Sequence, residues 1–499
     1  MSATTPLAQP AIAAMDADVL IIGSGAGGAT TATVLAEAGL DVLIVEEGDW
    51  VEQGEVVPFS LEQMDRQYRA GGVTVAIGLP SIAYTEGRCA GGGTEVNSGL
   101  YWRPPGDVLQ RWRDTFRIAD FDPDEVLAIA DEVERDIHVG PVPGAYTEPS
   151  EVLRRGADAL GWRNGEIPRW MTYPAAPPAA ASAAHAGGPA AGERQSMTRT
   201  YLPRAVTAGA RLAVGCRVDR LVAGNGRATA AETTLRDGTP GTITFRHVFV
   251  CGGAIQSPAL LQRSGIRGHI GRTLAVHPTV KLAARFADEL NVPDDVPVHQ
   301  VKEFAPHLSF GGSASNPGLV ALSLLDEWPS FRQAVTQWRN ISVYYAAITS
   351  EGLGRVRSFP HLKDPIVTYG LTRRDRELLR SGLGRLALLM LEAGALEVFP
   401  SFKGAPSVKN RRDLATMQAR FAATKASVMT VHLCSTVPMG ELEGRTGANS
   451  FGLVHGCSNV YVNDASLLPT APGVNPQASV MTFAIRNARR FVASGGRRA

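Results

Sequence analysis

The chain has 499 residues, 49 Lys and Arg against 48 Asp and Glu, a formal net charge of +1, and five cysteines. That length can bury a sizeable core and predicts two domains, while the balanced charge gives no reason to expect nucleic acid or an anionic membrane as partner. No apolar run of about 18 residues is present to span a bilayer, and the scattered Cys89, Cys216, Cys251, Cys434 and Cys457 contain no C-x-x-C, so neither a disulfide framework nor a metal site is expected.

The opening residues lack a basic stretch followed by an apolar core, which predicts a reduced, cytoplasmic protein. Residues 18–22 form a short apolar strand that runs into G-x-G-x-x-G at Gly23, Gly25 and Gly28. Gly23 permits the tight turn, Gly25 lets the backbone approach a pyrophosphate, and Gly28 lets the following helix pack on the strand. That helix is expected over 27–38, with its free N–H groups facing the phosphates. A second strand, 41–45, leads to Glu46, 18 positions after Gly28 and placed to bond a ribose hydroxyl. Strand, glycines, helix, strand and acid in register specify a dinucleotide cradle far better than the glycines alone.

Further along, residues 86–105 make a second glycine-rich loop. Residues 173–194, rich in Ala, Pro and Gly, predict an irregular crossing or lid. Strand periodicity returns from about 210 to 251. Between 281 and 409, candidate strands at 341–348 and 365–369 flank a helix expected over 373–394 and ended by Gly394. Near the C-terminus stand His432-Leu-Cys-Ser-Thr-Val-Pro-Met-Gly440, Asn463-Asp-Ala-Ser466 and Gly473-Val-Asn-Pro476.

Four separated blocks in order now carry a family resemblance: the N-terminal fingerprint through Glu46-Glu-Gly48, Gly87-Arg-Cys-Ala-Gly-Gly-Gly-Thr-Glu-Val-Asn-Ser-Gly99, Gly252-Gly-Ala-Ile-Gln-Ser-Pro258 with its continuation to Ile266, and His432 through Asn475-Pro476. Over nearly its whole length the chain resembles the glucose–methanol–choline (GMC) family of FAD-dependent oxidoreductases. In motif style it is nearest to the bacterial long-chain alcohol and cholesterol oxidase-like branches. The resemblance implies an α/β (α+β overall) fold. A Rossmann-like FAD-binding domain would be assembled from 15–172, 195–280 and 410–499, and a substrate domain with an antiparallel sheet from 281–409. It implies that Gly23, Gly25, Gly28 and Glu46 hold FAD, that Val218 offers its backbone to adenine, and that Gly93, Thr94 and Asn97 line the flavin. Asp464 and Ala465 would contact the diphosphate and ribityl region, with Pro476 at the pyrimidine end.

Alcohol oxidation removes the hydroxyl proton as hydride leaves the carbinol carbon for the flavin. His432 is expected to take the proton without a heavily shifted pKa. Asn475, 43 positions on, is expected to donate to the same oxygen. His277 reads as structural, His455 as part of a surface turn, and Asn97 could equally satisfy its own loop. Cys89 and Cys434 read as buried packing residues. Phe310, Trp338, Tyr344 and Tyr345 are candidates for a substrate pocket or for core.

Two departures from the family stand out. Ser435 occupies a position where glycine is usual, and 86–105 contains no His, so FAD is expected to be non-covalent. The implied partners are a small-molecule alcohol and oxygen or another electron acceptor. The main alternative is a lyase of the same fold, of the hydroxynitrile lyase kind, using FAD without net redox. A flavoprotein that only binds is disfavoured by the His/Asn pair, and an NAD-linked dehydrogenase has no use for the C-terminal blocks.

Overall fold

The computed structural model describes residues 15–173, 192–292, 295–442 and 444–496; the expected crossing at 173–194 lies almost wholly outside them. The chain opens with β1 (Met15–Ile22), α1 (Ala26–Glu37) and β2 (Val42–Val45). Val19, Leu20 and Ile21 are fully buried, as an unbroken apolar run in a covered parallel strand must be. β1 pairs in parallel with β2 on one side and with Pro240–Val250 on the other. Arg211–Ala213 extends the sheet beyond β2, and Val460–Val462 beyond Pro240–Val250, both parallel. The first half of Pro240–Val250 pairs antiparallel with Arg227–Leu235, which pairs with Cys216–Gly224 to complete seven strands. The C-terminal helix Gln477–Ala493 and α1 share a core beneath this sheet, built on Ala29, Ala32, Met481 and Ile485.

A second, nine-stranded sheet is centred on Thr279–Arg285, Ile341–Ile348 and Leu308–Ser313, paired antiparallel. Alternation sets its two faces. Val280, Leu282, Phe310 and Tyr344 point into a core shared with Leu383, Leu386 and Met390 of the helix Arg373–Glu392. That helix starts at a Thr372–Asp375 capping box and is followed by Gly394 at φ +94°, close to the span its sequence signals. It sits tight on the sheet: a Cβ at Gly382 would lie 2.8 Å from Leu308 Cδ1.

Strands Thr74–Ala76, Ile82–Tyr84, Asn164–Glu166 and Val428–Thr430 also join this sheet, although they fall outside 281–409. Each has only three residues, too few to display a period in sequence. Among the described residues, no helix is long and apolar enough to cross a membrane.

Candidate active site

A cavity of about 1360 Å³ runs between the two sheets. At one end lies the loop from β1 to α1. Gly23 takes φ +101°, and a Cβ there would meet Cys251 O at 2.4 Å. A Cβ on Gly28 would lie 1.9 Å from Gly23 O, and on Gly27 2.0 Å from Asn463 O, so α1 touches both its own strand and the C-terminal block backbone to backbone. The motif reading did not single out Gly27; its place inside G-x-G-x-x-G hides a contact made 436 residues away in sequence (463 − 27). Gly25 differs: its Cβ would come no nearer than 3.9 Å to any atom. It caps α1 and faces the cavity, leaving the helix N-terminus open to an anion.

Glu46 is buried behind that loop. Its Oε2 accepts from Ser24 N at 3.0 Å and Ser24 Oγ at 2.7 Å, and its Oε1 accepts from Gly48 N at 2.9 Å. Burial raises its pKa against the pull of these bonds. One acceptor site remains on Oε1, enough for one ribose hydroxyl. Ser24 Oγ also accepts from Gly91 N at 3.1 Å, tying the two glycine-rich loops together. In the second loop Thr94 Oγ1 donates to Gly91 O and accepts from Met197 N. Asn97 accepts from Gly99 N and donates to Gln477 Oε1, so it satisfies its own loop while lining the cavity. Gly93, with no atom within 4 Å of a built Cβ, and Val218, Ala465 and Pro476 also line it. The Asp464 carboxylate is occupied by protein donors, Gly253 N and Ser257 Oγ on one oxygen and Ser466 N and Oγ on the other. It therefore anchors the start of Gly253–Arg263 and leaves only its main chain for a ligand.

Further along the wall, Ala275–Val276 pairs antiparallel with Leu433–Cys434, Val276 facing Leu433. One step on in that register, His277 meets His432. Their Nδ1 atoms are 2.9 Å apart with the rings edge to face, Gly473 N donates to His277 Nε2 at 3.0 Å, and Asn475 Nδ2 lies 3.3 Å from His432 Nε2. His277, which its sequence position marks as structural, is thus in direct contact with His432; nothing in the sequence reveals that register. Burial and the nearby Lys302 ammonium push the His432 pKa down to about 4, which corrects the expectation of a nearly unshifted imidazole. His277 is driven well below its ordinary value by burial, then by His432 and Lys302.

The donors at either end, Gly473 N and Asn475 Nδ2, compete to set the protons in this pair. Gly473 N–H can only donate, so His277 Nε2 accepts and neutral His277 carries its proton on Nδ1. In that arrangement the proton fills the Nδ1–Nδ1 contact and leaves neutral His432 protonated at Nε2, where it faces the donor Asn475 Nδ2. The opposite arrangement, with His432 Nε2 accepting from Asn475 Nδ2, sets two donors against each other at Gly473 instead. Each arrangement therefore forfeits one buried hydrogen bond, a cost of about 1–3 kcal/mol.

Ser435, next to this strand, adopts φ +70° and donates from Oγ to Pro469 O. The left-handed geometry that glycine takes freely is therefore kept here, at a cost of about 1–2 kcal/mol. Of the four aromatic candidates, Phe310 and Tyr344 are core, Trp338 packs partly buried beside it, and Tyr345 lines the cavity. All five cysteines are free, and burial raises the thiol pKa of Cys89 and Cys434, as expected of packing residues. His455 lies in an exposed turn.

Comparison with known proteins places these features in a wider group. The GMC oxidoreductase family models match residues 64–279 and 352–484, and an FAD binding domain model matches 18–53. A GMC-type oxidoreductase of Sinorhizobium fredii is 38% identical, covering 97% of this chain and 96% of its own length. A long-chain-alcohol oxidase of Arabidopsis thaliana is 25% identical over 94% of this chain and 66% of its own. The crystal structure of pyridoxine 4-oxidase from Mesorbium loti superposes with a TM-score of 0.73 at 19% identity, covering 96% of this chain and 99% of that one.

Proposed function

Because the chain belongs to the GMC oxidoreductase family, we propose that it oxidises an alcohol to an aldehyde or ketone, with His432 receiving the hydroxyl proton and Asn475 holding the same oxygen. The observation that carries this reading is the convergence of His432 Nε2 and Asn475 Nδ2 on the wall of a cavity whose other end is the glycine-loop cradle. FAD, non-covalently held by Gly23, Gly25, Gly28, Glu46 and the loop of Gly93, Thr94 and Asn97, supplies the hydride acceptor when bound. Oxygen or another acceptor then takes the electrons.

His432 receives the proton in the tautomer whose Nε2 is bare, with its Nδ1–H turned toward His277 Nδ1. A substrate hydroxyl donating to Nε2 offsets the bond lost at Gly473. Asn475 fixes the carbinol oxygen and so the direction of the hydrogen that leaves. The other tautomer, with its Nε2–H facing the cavity, also suits an acid–base step without redox, the lyase reading. The separating experiment is an anaerobic titration of the flavin with sugars, aromatic alcohols, long-chain alcohols and sterols. Bleaching by one class establishes oxidation and narrows the substrate; turnover without bleaching establishes the lyase.

Two outcomes follow for variants and pH. Because His432 is neutral above its pKa of about 4, flavin reduction should fall as pH drops through that value and stay flat through neutrality. A limb near 6.5, the ordinary histidine value, would show that the ring is hydrated in the working enzyme. Glu46→Ala removes the carboxylate that holds Ser24 and Gly48 and faces the ribose, so flavin content per protein should drop; full flavin content would contradict the ribose role.

A further inference from the structure

On the cavity face of the second sheet runs a line of polar residues, of which only Lys302 entered the chemistry above, through its charge near His432. Lys281 stands directly opposite Tyr345, Tyr345 opposite Gly311, and Gly311 opposite Gln300. The bare Gly311 lets the phenol lie across it: a Cβ there would meet Tyr345 Oη at 2.4 Å, and Gln300 Nε2 donates to that oxygen at 2.7 Å. Gln300 Oε1 in turn accepts from Trp102 Nε1 at 3.2 Å, and Lys302 Nζ sits 4.6 Å from the centre of the Trp102 ring. Lys281 Nζ donates to Ser313 Oγ at 3.1 Å. The row thus ends in a lysine at each side, and both lysines line the cavity.

Neither has a counter-ion among the described residues; burial alone lowers both, each to about 8, so both remain mostly charged at neutral pH. The acids that reach the same cavity are engaged elsewhere. Glu46 serves Ser24 and Gly48, Glu47 and Glu86 face Arg69, Asp464 serves Ser257 and Ser466, and Asp326 accepts from Ser427. Lys281 lies in the second sheet and Lys302 directly follows its strand His299–Val301, whereas the glycine loop before α1 belongs to the first. A protein that withdraws two ammonium groups from bulk water without an acid loses hydration that an incoming anion restores. At the cavity's outer end Leu79, Leu322, Leu325 and Val431 are exposed and apolar, which suits a hydrocarbon part. Lys302 and His432 line the same cavity, so a single substrate can present a carboxylate to the lysine and a carbinol to the histidine.

We propose that the alcohol is a hydroxycarboxylate whose carboxylate is received by the cationic face of Lys281 and Lys302; this rests on the alcohol-oxidation reading. The holoenzyme is titrated without oxygen with 2-hydroxyoctanoate, 3-hydroxyoctanoate and 8-hydroxyoctanoate against octan-1-ol and octan-2-ol, following flavin bleaching. Octanoate, which cannot be oxidised, is titrated separately for its perturbation of the flavin spectrum.

At least one hydroxyoctanoate should exceed the octanols in kcat/KM by about tenfold or more. Lys281→Met or Lys302→Met should erase that preference through KM and weaken octanoate binding, with flavin content retained; Lys→Arg at the same position should restore part of it. Octanols that equal or exceed the acids overturn the proposal. So do Met variants that keep the preference, or that lose FAD instead. If no alcohol of any class bleaches the flavin, the oxidation reading fails on its own. Octanoate binding then decides the lysines: a lysine-dependent perturbation sustains the anion site, and its absence removes it.

Discussion

His432→Ala is expected to retain bound FAD and to lose about 10²–10⁴-fold in the rate of flavin reduction by substrate, the range for removal of a positioned proton acceptor. The strand that carries the histidine does not depend on its ring. Leu433 and Cys434 pair with Val276 and Ala275, and Ser435, Val437 and Met439 donate from their main chains to Ala465, Ser466 and Leu467. Truncation therefore opens space in an existing cavity and leaves the glycine loops untouched. The flavin spectrum of the purified variant reports retention, and stopped-flow bleaching reports the rate. An unchanged rate would remove His432 from the chemistry. Loss of the flavin itself would show that the ring supports the cofactor.

The variant also leaves His277 with a free Nδ1–H where the His432 ring had been. Added imidazole that enters this space can accept from His277 and present its own second nitrogen to the substrate. Partial rescue by imidazole would therefore locate the missing function in the ring and not in a displaced strand.

The parts of this site that sequence reveals are those built from local pattern. β1, α1 and β2 show themselves because an apolar run, three spaced glycines and an acid each have a near-neighbour reason to be there. Ile341–Ile348 matches its expected span, since eight residues are long enough to show strand character. The His277–His432 contact could not be read, because it depends on two-residue strands pairing across 155 positions in sequence. For the same reason Lys281, Gln300 and Lys302 go unmarked in the sequence, and Tyr345 reads as pocket or core alike, until cross-strand register brings them to one face. The depressed pKa of His432 escaped as well: a motif fixes which residue is present, but enclosure and the Lys302 charge decide how readily it holds a proton. Ile82–Tyr84 and Asn164–Glu166 join the second sheet by pairing with Val428–Thr430 and His299–Val301, long-range contacts that no local period announces.

Two glycines of one motif should fail in different ways. Gly28→Ala is expected to destabilise the protein even without FAD, because its Cβ would lie 1.9 Å from Gly23 O and 2.9 Å from Gly23 C. Those atoms are backbone and cannot rotate away, so α1 must lift from β1. Overpacking of this kind typically costs about 1–3 kcal/mol, occasionally more, and the lift also moves the helix N-terminus, so flavin content should fall too. Gly25→Ala presents the contrary case. Gly25 has φ −67° and ψ −169°, a conformation alanine adopts without strain, and its Cβ would come no nearer than 3.9 Å to protein. Its methyl would instead occupy the cavity side of the loop, where a pyrophosphate approaches the backbone. The apoprotein melting temperature should thus drop for Gly28→Ala and stay near wild type for Gly25→Ala, while both lose FAD. If Gly25→Ala binds FAD normally, the phosphates do not lie against this loop. The tight packing at Gly28 would then be a requirement of the strand–helix unit alone.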